Sequence, residues 1–290
     1  MVFAMVPAVS IAYMCIGTVI FTIVPIVIAI IWLVKKKEKV TTILAGCAVF
    51  VLIAMIIEKC IQNVLIFPTV MGLKDHAISI FVNDRPLLWA FLVALFPGVF
   101  EETGRLIAFK TVLKKRRNRE TSISYGIGHG GTEVVLLLGL TYLSYIMYAV
   151  MINSGMFEMV INEVAAQTPD QVDTLCEFAE SLAVFSLGDL LIGVAERIFA
   201  VLFHIGASIL VFYACRDKGR FILYPLAIIL HTALDGVAAL QMKGLIQISA
   251  WGLEGAVALF GIAVFFGSYF LLYAKDKNDQ FSDTLSSTGL

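Results

Sequence analysis

The sequence predicts an all-α, polytopic transmembrane helix bundle of about seven spans, on three observations. The 290 residues are 60% hydrophobic and only 15% charged, with a mean hydropathy of +0.92. A soluble domain carries roughly 25% charged residues, and a core of this length cannot hide the surplus of apolar side chains. The apolar runs also have membrane length, since a bilayer core needs about 20 residues per helix. Finally, Lys and Arg gather in alternate loops.

Runs between charged or turn-forming breaks give spans at 8–34, 41–66, 86–110, 121–152, 183–214, 221–242 and 245–273. The first has no basic leader and is followed by Lys35, Lys36, Lys37 and Lys39, so it reads as a retained span rather than a cleaved signal peptide. Glu58 and Lys59 read as the outer end of the second span. One set of loops holds Lys35–Lys39, Lys110–Arg119, Arg216/Lys218/Arg220 and Lys275/Lys277; the other holds only Lys59, Lys74, Arg85 and Lys243. The positive-inside rule then puts the N-terminus outside and the C-terminus in the cytoplasm, in agreement with an odd number of spans. The bundle fills 1–275 and a polar cytoplasmic tail fills 276–290. The cluster Lys114–Arg119 reads as an anchor to the inner leaflet.

The extracytoplasmic loop 153–182 lacks Lys and Arg. Its acidic residues alternate with Met156, Val160, Val164, Leu175, Phe178 and Leu182, a spacing that suits two short amphipathic helices broken at Thr168-Pro169. A solvated cap is the plain reading of this loop, and a substrate gate the sharper one. A net charge of −1 gives no reason to expect nucleic acid as a partner. Five cysteines without a CxxC imply neither a disulfide framework nor a thiolate metal site. The expected setting is a cell membrane, crossed several times, with the lipid bilayer as the surrounding partner.

Ionisable residues inside spans are costly and point to function. The third span carries Glu101, Glu102 and Arg105; the fourth carries His129 and Glu133 within Gly126-Ile127-Gly128-His129-Gly130-Gly131-Thr132-Glu133. The fifth carries Arg197 and His204, the sixth His231 and Asp235. At a rise of about 1.5 Å per residue, Glu102 and His129 lie roughly 12 Å inside the boundary, and His204 and His231 roughly 16–18 Å. Four helices thus bring two carboxylates and three imidazoles to nearly one level. Glu133, Asp235 and Arg197 form a second layer farther out.

The residue types limit the chemistry. Adjacent glutamates on a helix are about 100° apart and cannot both face one cavity. One is expected to work while the other pairs with Arg105, one turn on. A shielded carboxylate suits a general base that takes a proton from water and returns it to a leaving group. The imidazoles can bind a metal or stabilise an oxyanion. Asp235 and Glu133 stand one turn from His231 and His129, placed to orient those rings. The glycines around His129 would let the helix unwind or another backbone approach. Together these parts describe water activation against a carbonyl.

At these residues the chain resembles the YhfC family of bacterial membrane proteins, regarded as intramembrane peptidases. Glu101-Glu102-Thr103-Gly104-Arg105 matches the pattern EExGR, and Gly126 through Glu133 matches GxGHGGxE. The His-bearing fifth span and His231/Asp235 follow in the expected order. More distantly the chain is similar to the CAAX-protease and bacteriocin-processing superfamily, with its EExxxR, FxxxH and HxxxN or HxxxD motifs. It departs there at Arg105, one residue closer to Glu102, and at Ala200, where Phe is usual. The resemblance implies a peptidase acting on a membrane-embedded or lipid-associated peptide. Glu101 or Glu102 would activate water, and His204 and His231 would be metal ligands or oxyanion stabilisers. His129 would be an additional ligand.

His129, His204 and His231 with a carboxylate satisfy the three-ligand requirement of catalytic zinc; the same set can also work without a metal. No HExxH or GxSG occurs, and Ser186-Leu187-Gly188-Asp189 lacks the first glycine of GxGD. A proton-coupled transporter and a non-catalytic immunity or regulatory relative of the protease fold are the alternative functions. The first usually shows repeat symmetry between halves, and the second commonly loses part of the glutamate–histidine set.

Overall fold

The computed structural model describes residues 3–276, and every regular element in that range is helical. In chain order the helices are α1 (Ala8–Lys36), α2 (Val40–Ile66), α3 (Ala77–Asn83), α4 (Pro86–Lys110), α5 (Glu120–Asn153), α6 (Phe157–Gln167), α7 (Val172–Ala183), α8 (Leu187–Arg216), α9 (Leu223–Met242) and α10 (Ala250–Tyr273). All but α3, α6 and α7 are long and apolar enough to cross a membrane, which makes seven candidate spans among the described residues. Apart from Asp276, the tail expected over 276–290 lies outside the described residues.

Capping chemistry decides where two spans begin. The fifth starts at Leu187 rather than 183 because Ser186 and Asp189 form a reciprocal cap: Asp189 Oδ2 accepts from Ser186 N at 2.8 Å, and Asp189 N donates to Ser186 Oγ at 3.4 Å. The apolar residues before it close α7, where Leu182 is buried. The seventh starts at Ala250, since Ser249 Oγ accepts from Gly252 N at 3.1 Å. The short α3 has no counterpart in the span reading; it exists because His76 and Ser79 cap each other across its first turn.

Contacts divide the described chain into two compact units. One comprises the chain up to Val27 with Glu133–Arg197. Its core packs Val6 and Met14 against Ala149, Phe157, Ile161 and Leu182, and the two short helices α6 and α7 lie in it. Asn153 secures the N-terminal segment, accepting from Val6 N at 2.7 Å and donating to Val6 O at 3.0 Å.

The second unit comprises Ile28–Thr132 and the residues from Ile198 on. Its centre is the latter half of α8, where every position from Phe203 to Ala214 is buried. A helix apolar on all sides belongs inside. Helices α4 and α9 lie side by side and antiparallel: Thr103 meets Tyr224 at 2.8 Å, and Gly98 sits against Thr232 farther along. Residues Glu120 to Gly130 of α5 are also buried without a break, because small side chains let helices come close. A Cβ on Gly128 would overlap the carbonyl of Ile43 in α2, and one on Gly46 would overlap the carbonyl of Tyr125. The glycines therefore serve close approach, and α5 stays helical through them instead of unwinding.

Pro97 lies inside α4 and has no N–H to offer Val93 O one turn back. Gln62 Nε2, from α2, donates to that carbonyl at 3.3 Å. In lipid, such a freed carbonyl has to be met by a neighbour.

Candidate functional site

Four helices of the second unit each supply part of one buried polar cluster. Glu101, Glu102 and Arg105 come from α4, His129 from α5, His204 from α8 and His231 from α9. All six are buried, with Glu102, Arg105 and His129 fully so.

The two neighbouring glutamates have different surroundings. Glu102 accepts from Arg105 Nη1 at both oxygens, at 2.6 and 2.7 Å, and from His231 Nδ1 at 2.9 Å. Its carboxylate is therefore closed in by a guanidinium on its own helix and a ring from α9. Glu101 points the other way, as the 100° step of a helix requires. Its Oε2 lies 2.9 Å from His129 Nε2, 3.9 Å from His204 Nδ1 and 4.0 Å from His231 Nε2. Its Oε1 accepts no hydrogen bond from the described residues, and the residue keeps 7% exposure. Three imidazoles thus converge on one oxygen of Glu101.

Ring packing holds this arrangement. Phe50 meets His129 edge-on at 5.2 Å, Tyr125 stacks on it at 6.1 Å one turn earlier, and Phe203 meets His231 edge-on at 5.0 Å. Arg105 Nη2 donates to His204 Nδ1 at 3.2 Å. His231 Nε2 also lies 3.6 Å from Asp235 Oδ2, one turn on.

Among the described residues, Glu101, His129 and His204 can bring one ligand atom each to within 4.8 Å of the others. Two imidazoles and a carboxylate are a donor set that zinc accepts, with a fourth position left for water. His129 Nδ1 is buried and has no hydrogen-bond partner, so this ring too has unused donor capacity. The residues present therefore fit a divalent ion. The group differs from the three-histidine set expected from sequence, because His231 is turned to Glu102 and Asp235 while Glu101 stands nearest to His129.

Glu133 and Arg197 lie in the first unit. There Arg197 Nη1 donates to Glu133 Oε1 at 2.6 Å, and Arg197 is also paired with Glu196. Sequence reasoning missed Glu58. It is 1% exposed, not at a span end, and its Oε2 has no partner. Gly104 packs against Ile53, and Gln62 against Val93, so Glu58 faces the stretch of α4 that leads to Glu101. A carboxylate closing an unbroken apolar run, with Gln62 one turn later, was the available signal. The π-helical stretch Phe50–Glu58 turns both Phe50 and Glu58 inward; π-helical stretches often occur at functional sites.

Seven membrane-length helices and a buried carboxylate–imidazole cluster define a multi-pass membrane protein with a polar centre inside its helical core. Residues 19–257 match the YhfC intramembrane metalloprotease family, and the chain belongs to that family. It is 30% identical over 232 residues to the "Uncharacterized membrane protein YhfC" of Bacillus subtilis (strain 168), an overlap covering 79% of this chain and 84% of that protein. No solved structure gives a significant match.

Proposed function

We propose that the chain is an intramembrane peptidase that hydrolyses a peptide bond of a membrane-associated protein or peptide, with Glu101 handling the proton. One observation carries this reading: three imidazoles from three helices meet one oxygen of Glu101, at 2.9 to 4.0 Å, inside a membrane bundle. The family to which the chain belongs supports it.

Glu101, His129 and His204 are the residues that would hold a metal, zinc by their chemistry. When bound, such an ion supplies Lewis-acid polarisation and acidifies water. The protein's own groups carry the rest. Oε1 of Glu101, free of hydrogen bonds, takes a proton as water attacks the scissile carbonyl carbon. The same proton then passes to the leaving amine as the C–N bond breaks. His231 Nε2, the nitrogen that faces Glu101, stabilises the oxyanion formed between these steps, with the ring held at Nδ1 by Glu102. Arg105 holds Glu102 in place through both of its oxygens. On the positive-inside reading, the site lies nearer the cytoplasmic side.

The test is a comparison of membranes incubated with purified wild-type protein or with Glu101→Gln, followed by mass spectrometry of new peptide termini. New termini inside membrane segments are expected with wild type alone. The same termini from both proteins, or none from either across a broad set of membranes, would overturn the proposal.

A further inference from the structure

A cavity of about 180 Å³ lies where the ends of α4 and α8 meet the segment after α4. Five cations line it: Lys110, Lys114, Arg116, Arg117 and Arg216; Phe109 and Phe212 supply its apolar wall. No acidic residue lines it. Arg216 has its own counter-ions, Asp217 at 3.4 Å and Asp276. Among the described residues, the other four form no salt bridge.

The cations are held together rather than merely collected. Arg117 Nη2 donates to the main-chain carbonyl of Arg216 at 3.5 Å, and Arg216 Nη1 returns a bond to the carbonyl of Arg117 at 3.3 Å. Arg116 is fixed by Thr41 Oγ1 at 3.0 Å. These bonds use neutral acceptors and so position the guanidinium groups without cancelling their charge; Arg116 also feels the carboxylate of Glu38, which does not line the cavity. Like charges fixed side by side repel one another unless an anion joins them. Planar guanidinium groups match phosphate oxygens in pairs, with lysines adding point charge. Lys110 and Arg216 are the last residues of their helices, which puts the cavity at headgroup level.

We propose that this cavity binds the phosphate of an anionic phospholipid headgroup, with the glycerol and first methylenes against Phe109 and Phe212. The positive-inside reading places it in the leaflet where anionic lipids carry the surface charge. The site is separate from the glutamate–histidine cluster and stands whether or not the peptidase reading does.

Full-length protein in detergent would be examined by native mass spectrometry with phosphatidylglycerol, phosphatidylcholine or inorganic phosphate added. The variants are Lys114→Gln/Arg117→Gln and, as a control of equal charge change, Lys35→Gln/Lys39→Gln. Wild type and control are expected to retain phosphatidylglycerol equally. The cavity variant should bind it about 30-fold more weakly, from about fivefold per cation. Phosphatidylcholine should be retained by none of them. Equal retention by the cavity and control variants, or equal retention of the two lipids, would overturn the site. Displacement of phosphatidylglycerol by an equal concentration of inorganic phosphate would overturn the lipid as its source and assign the cavity to soluble phosphates. If the double variant fails to elute as a single species, Lys114→Gln alone decides, with a loss of about fivefold expected.

Discussion

Glu101 Oε2 and His129 Nε2 meet at 2.9 Å between helices α4 and α5, while Glu102, one residue on, is enclosed by Arg105 and His231. The two glutamates should therefore fail differently. On the proposed reading, Glu101→Gln keeps the fold and lowers cleavage by at least about 10²–10⁴-fold, the usual worth of a general base, because a residue that would hold the metal is lost with it. Glu102→Gln leaves the fully buried Arg105 without its carboxylate, at a cost of about 3–5 kcal/mol. Thermal unfolding in detergent, read beside cleavage, separates the two. Equal unfolding temperatures for both variants would contradict the assignment.

Metal content follows the ligand-spaced group. Zinc bound to purified protein should fall to background in His129→Ala and His204→Ala, and should be largely kept in His231→Ala. Elemental analysis after gel filtration reads this directly. Loss in His231→Ala equal to that in His204→Ala would restore the three-histidine set.

Gln62 and Pro97 form a compensating pair across α2 and α4. Gln62→Ala strands the carbonyl of Val93 and should cost about 1–3 kcal/mol. Pro97→Ala returns a main-chain N–H to that carbonyl, so Gln62→Ala should cost much less in the Pro97→Ala background. A double-mutant cycle on unfolding free energies measures this coupling. Additive effects would mean that the bond contributes nothing.

Gly128 and Gly236 provide a packing contrast. A methyl on Gly128 overlaps the carbonyl of Ile43, whereas one on Gly236 meets nothing within 4 Å. Gly128→Ala should destabilise by about 1–3 kcal/mol or more. Gly236→Ala should be neutral or slightly stabilising, since alanine favours the helix by about 1 kcal/mol. Unfolding temperatures of the two variants give the comparison.

Much of the site was legible because charge in an apolar run is rare and its depth can be counted. Glu101, Glu102, Arg105, His129, His204 and His231 were all visible that way, and so was the pairing of one glutamate with Arg105. Glu58 was hidden by Lys59, which made the pair look like a span end. The π-helical stretches have no residue signature. The spacing of Glu133, one turn from His129, suggested a support for that ring; its ion pair with Arg197, 64 residues away, is one that sequence spacing cannot supply.

The sequence by itself determined that the solvent is lipid, that there are seven spans, and which ionisable residues lie within them. These properties depend on composition and on position along single helices, where 1.5 Å per residue fixes depth. Only the tertiary structure decided which glutamate faces three imidazoles and which is locked to arginine. It also decided that Glu101 joins His129 and His204, and that five cations enclose one cavity. Those outcomes depend on the rotation of each helix about its axis and on which neighbour it packs against, and contacts between distant segments set both.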